Sequence, residues 1–144
     1  RPLSVSTDRI GVVALRAIRL LERLAGAGAD RSGGAGVYET YPGGAVAAWA
    51  LVDGSYKRTD SQPERAAIVA ALGRHLDLGG FTEQMVASDD DLDAVLCAAI
   101  VGLAADGRTH APDECDKAQA AREGWIHIPS GPIEDLAGLA SLDG

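Results

Sequence analysis

Residues 89–105 contain the feature that most restricts how this chain can fold, an apolar segment that begins with a run of aspartates. Its large apolar side chains fall on every side of a helix, and they are Leu92, Val95, Leu96, Ile100, Val101 and Leu103. A helix that is apolar all round is buried, because no face of it suits water. The segment therefore predicts a buried helix from about Asp90 to Ala105, packed against a sheet, with its carboxylates at the edge of the core.

The aspartates at the start of this helix have two interpretations. Asp90 and Asp93 are three residues apart, so a helix places them on one face, where they could share a divalent cation. Acidic residues also favour the positive end of a helix dipole and cap its free N–H groups, which needs no ligand. Both interpretations stay open at the level of the sequence.

Composition limits the classes of protein to which the chain can belong. With 144 residues, 47% of them hydrophobic, it is long enough for one compact domain over residues 1–144. A net charge of −8 argues against broad coating of nucleic acid, so any binding to nucleic acid is expected to be weak. No run has the length of a membrane span, and Cys97 and Cys115 lie in unrelated surroundings. The chain is therefore predicted to be cytoplasmic, without disulfides and without a membrane partner.

Several helices and only two strands are predicted for the rest of the chain. They are a helix from an N-cap at residues 6–8 to Ala25, a strand over 36–42, a helix over 45–52, a helix from Gln62 to the Gly79-Gly80 pair, a polar helix over 111–122, a strand over 124–129 and a last turn at 132–136. The first helix has one apolar stripe, predicted to be buried, that includes Ala17, Ile18 and Leu21. A sheet of only two strands is too small to bury the apolar faces of so many helices. The fold class is therefore α/β and rich in helices, with a short sheet whose open edge or uncovered apolar surface would suit a homo-oligomer.

Two charged residues outside the aspartate run are candidates for chemistry. Glu39 shares a strand face with Val37 and Tyr41, and it is either a functional carboxylate or the solvated charge of an edge strand. Lys57 lies in the loop 53–58, where it is either a phosphate contact or an ordinary solvated side chain. A zinc site on Cys97, His110 and Cys115 fits no standard spacing.

Four segments in this order resemble one family, and they are Val37–Pro42, Ser55–Lys57, Asp90–Ala98 and Glu123–Pro129. The resemblance, from about Leu3 to Pro129, is to the C-terminal part of the domain of unknown function 429 family, described as predicted nucleases with a ribonuclease H-like fold. It implies that Glu39, Asp90 and Asp93 are catalytic carboxylates that bind Mg²⁺ or Mn²⁺, with Asp91 as an alternative metal ligand. It also implies that Lys57 binds the phosphate of the substrate.

The chain departs from the family pattern at its beginning. The family's domain starts with strands that carry a first aspartate, and nothing before Ser6 supplies them. The chain is therefore expected to be the C-terminal portion of a ribonuclease H-like domain that lacks the N-terminal strands. As a metal-dependent nuclease it would be an incomplete and inactive fragment, because a two-ion site that lacks one carboxylate loses geometry and charge. The alternative function is that of a non-catalytic helical association domain.

Overall fold

A computed structural model of the chain describes residues 12–26 and 30–141. The α-helices are α1 (Val12–Ala25), α2 (Pro42–Ala48), α3 (Gln62–Leu72), α4 (Thr82–Ala87), α5 (Asp89–Ala105) and α6 (Lys117–Glu123). The strands are β1 (Glu39–Thr40) and β2 (Ile126–His127), and 3₁₀ helices cover Gly79–Phe81 and Ile133–Ser141. The described chain is thus a helix-rich α/β fold with a short sheet, as the sequence predicts.

The chain divides into two compact units. The first contains residues 1–39 and 112–125, and the second contains residues 40–111 and 126–144. The expectation of one domain over residues 1–144 stays a prediction.

Helix α5 is the central element of the second unit. It follows Ser88, whose side chain caps it by accepting a hydrogen bond from the Asp91 N–H at 3.2 Å. Leu92, Leu96 and Leu103 are at most 1% exposed, so the predicted buried helix is confirmed. The expectation that it packs against a sheet is only partly right, since α2, α4 and the 3₁₀ helix 133–141 cover it together with β2.

Helix α3 supplies a second wall of the same core. It has proline in its first turn, and its apolar stripe at Ile68, Val69 and Leu72 is buried as predicted. The helix ends at Leu72, where Gly73 follows as the C-cap, and not at the Gly79-Gly80 pair that the sequence indicates. Helix α4 was not predicted, because six residues are too few to show a helical period.

The two predicted strands are found in their places but are short. Strands β1 and β2 contain two residues each and form a two-stranded sheet. Helix α2 begins at Pro42, three residues before the predicted start at Ala45, because a proline suits the first helical position. Helix α6 begins at Lys117 and is shorter than predicted.

Helix α1 is more exposed than the sequence predicts. Ile18, in the predicted buried stripe, is 43% exposed, and Leu15 and Leu20 are 60% and 56% exposed. Periodicity shows which residues share a face, but not whether another element covers that face. The predicted N-cap at residues 6–8 lies outside the described residues. Among the helices described, none is long and apolar enough to cross a membrane.

Candidate functional site

The loop between α2 and α3 carries Lys57 in a fixed conformation. The guanidinium of Arg65 donates hydrogen bonds to the carbonyl of Tyr56 at 2.8 Å and to that of Arg58 at 2.9 Å. The hydroxyl of Ser61 donates to the Ser55 carbonyl at 2.7 Å. The buried Arg65 therefore holds the carbonyls on either side of Lys57, whereas the buried Ser61 fixes the earlier part of the loop at Ser55.

Lys57 and Tyr56 both meet the carboxylate of Asp93 on α5. The Tyr56 hydroxyl donates to Oδ1 at 2.6 Å, and the Lys57 ammonium donates to Oδ2 at 2.5 Å. The exposed fraction is 48% for the Lys57 side chain and 21% for that of Asp93, whereas Tyr56 is buried. We call these three residues the Lys57 cluster. It combines a half-exposed cation with a carboxylate that two donors hold in place.

The electrostatics of the cluster favour a protonated lysine. The hydrogen bond to Asp93 raises the pKa of Lys57 above its ordinary value of 10.5, partly offset by burial, and the Asp93 and Asp89 charges act in the raising direction. Burial, followed by the hydrogen bond to Asp93, raises the pKa of the Tyr56 hydroxyl well above its ordinary value of 10.0. At neutral pH Lys57 is therefore an ammonium and Tyr56 a neutral phenol.

Asp93 contacts Lys57, and the other aspartates of α5 differ from one another in exposure. Asp90 and Asp91, both predicted as metal ligands, are exposed in the first turn, whereas Asp89 is half-buried. Asp89 and Asp93 are four residues apart, a spacing that places side chains on one helix face. Asp89 and Tyr56 are thus the neighbours of Lys57 that the sequence reasoning missed. The spacing of four was the available signal for Asp89.

Glu39 belongs to the first unit, whereas the aspartates belong to the second. Its carboxylate accepts a hydrogen bond from the Arg31 guanidinium at 2.6 Å, in an ion pair whose side chains are about one third exposed. Both residues line a cleft of about 320 Å³ whose apolar wall includes Ile18, Leu21 and Val37. The role of Glu39 as a metal ligand beside Asp90 and Asp93 stays a prediction.

The donor set fits a divalent ion only in part. Within residues 12–26 and 30–141, no three His, Cys, Asp or Glu side chains are grouped so as to hold a metal ion. Mg²⁺ is commonly held by one or two carboxylates together with substrate phosphates and water. The roles of Asp90, Asp91 and Asp93 as metal ligands stay a prediction.

The Lys57 cluster predicts a loss of stability in alkali. Because the pKa of Lys57 and that of Tyr56 are higher in the folded state, the folded protein keeps protons that the unfolded chain releases. The stabilisation is complete below about pH 10 and decreases as pH rises further. The urea concentration at the midpoint of unfolding should therefore fall as pH is raised from about 8 to 11, and it should fall less in Asp93→Asn. Asp60→Asn, which removes an exposed carboxylate paired with Arg58, should follow the wild-type curve.

Comparison with known proteins places the chain in one family. A family model described as "Protein of unknown function (DUF429)" matches residues 1–117, which is most of the chain. The match includes Glu39, Lys57 and the aspartates of α5, and it ends before the Glu123–Pro129 segment. No curated protein and no solved structure shows significant similarity to the chain. The chain therefore belongs to the DUF429 family.

Proposed function

We propose that this protein takes part in the metal-dependent hydrolysis of phosphodiester bonds, as a nuclease with a ribonuclease H-like architecture. The observation that supports this function is the Lys57 cluster. It presents a half-exposed ammonium from a loop held by hydrogen bonds, directly beside a carboxylate at the start of an acidic helix. A fixed cation next to oxygen ligands is the combination that binding a phosphate with Mg²⁺ or Mn²⁺ requires.

Each member of the cluster has a separate part in this proposal. Lys57 contacts a phosphate oxygen of the substrate as a point charge. Asp93 holds Lys57 in place before the substrate arrives and, with Asp90 or Asp91, would be a ligand for the ion. Tyr56 keeps the Asp93 carboxylate in one orientation. When bound, the divalent ion would neutralise charge on the phosphate and lower the pKa of a bound water.

The proposal includes a weak affinity for nucleic acid and a cytoplasmic location. With a net charge of −8, the chain has few cations to neutralise phosphates, so binding must depend on the ion and on Lys57. Cys97 and Cys115 are both free thiols, which favours a reducing compartment.

The test combines a divalent ion, an oligonucleotide and a set of matched variants. Melting temperatures are measured with millimolar Mn²⁺, with a short DNA or RNA strand, and with both together. We expect the melting temperature to rise by about 2–4 °C for each kcal/mol that the bound ligands add to the free energy of unfolding when both are present, and to rise less with Mn²⁺ alone. The rise should disappear in Lys57→Met and in Asp93→Asn. Release of labelled fragments from the same strand measures any hydrolysis.

Two control variants distinguish a specific effect of the Lys57 cluster from a general effect of charge in the loop. Arg58→Met and Asp60→Asn change the charge of the same loop at an exposed ion pair, so both should respond as the wild type does. An equal loss in Arg58→Met and Lys57→Met would contradict a specific role for Lys57. If wild type shows no response to ion and oligonucleotide together, the nuclease proposal fails.

A second candidate function is association through helix α1. Leu15 and Ile18 are three residues apart, share one side of that helix and expose apolar surface there, which favours a second copy of the chain as partner. Sedimentation velocity of the same samples distinguishes the two functions. A dimer whose melting temperature does not change with Mn²⁺ and oligonucleotide would support association instead of catalysis.

A further inference from the structure

Arg65 is a charged side chain in a place that normally excludes charge. It lies in the first half of α3 and is only 3% exposed. Its guanidinium makes three hydrogen bonds to backbone carbonyls, at 2.7 Å to Val86, 2.8 Å to Tyr56 and 2.9 Å to Arg58. Burial of a guanidinium is costly unless its donors are satisfied, so these carbonyls are what allow Arg65 to be buried.

Two of the three carbonyls belong to the loop that carries Lys57, and the third belongs to the helix that precedes α5. Tyr56 and Arg58 are the neighbours of Lys57 on either side. Val86 lies near the end of α4, two residues before Ser88, the N-cap of the helix that carries Asp93. One guanidinium therefore ties the backbone that presents the cation to the backbone that leads into the carboxylate helix.

We propose that Arg65 is a positioning residue that sets Lys57 against Asp93. Its role in catalysis rests on the proposed function, whereas its effect on Lys57 does not. Lysine is not an adequate replacement, because three carbonyls in two segments need the planar fork of donors that a guanidinium provides. Loss of Arg65 releases the loop, and the Lys57 ammonium then leaves Asp93 for water.

Labelling of lysines with acetic anhydride tests this role directly. Lys57 and Lys117 are the two lysines of the wild-type chain, and cleavage after Arg58 places position 65 on a different peptide from Lys57. Mass spectrometry of the peptides therefore gives the rate at Lys57 relative to Lys117 as internal reference, in the wild type and in Arg65→Lys. In Arg65→Lys we expect this ratio to rise about three- to tenfold below pH 10, because a Lys57 amine that has left the Asp93 carboxylate is open to the reagent. Asp93→Asn should give a similar rise, since it removes the same partner.

Ser61→Ala is the matched control. It removes the hydrogen bond to the Ser55 carbonyl, in the same loop but away from the carbonyls on either side of Lys57. It should lower stability without changing the labelling ratio. An unchanged ratio in folded Arg65→Lys, with stability reduced as in Ser61→Ala, would reduce Arg65 to a structural residue and overturn the proposal.

A measurement on the unmutated protein covers the case in which Arg65→Lys does not fold. The Arg65 Nε–H should exchange with solvent much more slowly than that of the exposed Arg58, by nitrogen-detected NMR. Equal exchange at the two arginines would overturn the proposal.

The outcomes also separate this role from the proposed function. Altered labelling in Arg65→Lys, in a protein that never responds to Mn²⁺ and oligonucleotide, supports the positioning role and contradicts the nuclease. A normal response in both wild type and Arg65→Lys, with labelling unchanged, supports the nuclease and overturns the role of Arg65.

Discussion

Replacing Leu96 by alanine is expected to lower the free energy of unfolding by about 2–5 kcal/mol. Leu96 is fully buried on α5 and belongs to the core cluster that also contains Leu72 and Met85. Alanine removes apolar contacts and leaves a cavity, and the surrounding helices can close it only in part. Urea unfolding followed by far-ultraviolet circular dichroism measures the loss through the shift of the midpoint.

Phe81→Ala is the control for this prediction. Phe81 is 67% exposed, so its truncation should change the free energy of unfolding by no more than about 0.5 kcal/mol. A loss below about 1 kcal/mol in Leu96→Ala would mean that α5 is not held by the packing described above.

Gly124→Ala is expected to destabilise the first unit and to displace Glu39. Gly124 has φ +103° and ψ 159°, a backbone conformation that is almost confined to glycine, and another residue there costs about 1–3 kcal/mol. A Cβ atom would also lie 2.5 Å from Glu39 Oε1, so the carboxylate must move away from Arg31. Since that ion pair is partly exposed, most of the lost stability comes from the backbone.

The matched control is Gly36→Ala in the same unit. Gly36 has φ +75° and open space around its Cα, so alanine there meets a backbone penalty without touching Glu39. Glu39→Ala should make the wild-type protein slightly less stable but should partly rescue Gly124→Ala, and this non-additivity measures the contact. Strictly additive effects would place Glu39 away from Gly124. The measurement is again urea unfolding, with hydrogen exchange to localise the change to the first unit.

Local sequence signals were sufficient to locate the helices that have clear capping residues or a clear apolar stripe. Helix α5 was predicted from Asp90 to Ala105 and begins one residue earlier, since Ser88 is a good N-cap. The two strands were located correctly, but their lengths were not, because pairing depends on the partner and aromatic or β-branched residues mark only an extended chain.

The candidate site was predictable residue by residue but not as a cluster. The sequence indicates Lys57 and Asp93 singly, yet their contact spans 36 positions and follows from the packing of the loop on α5. The sequence also contains a signal for Arg65 that was not part of the prediction. This arginine stands on the stripe of α3 that continues through Ile68, Val69 and Leu72, and a charge on a buried stripe implies an internal partner.

The hydrogen bonds from Arg65 to carbonyl oxygens have a consequence for how related chains can vary. Because Arg65 donates only to main-chain acceptors, these bonds do not depend on which side chains occupy positions 58 and 86, so substitutions there should be tolerated. The bonds do depend on spacing, because an insertion or deletion between Lys57 and Arg65 would move the acceptor carbonyls out of reach of the guanidinium. Among related chains, the number of residues between positions 57 and 65 should therefore vary less than the identity of those residues, and Lys57 itself should be retained.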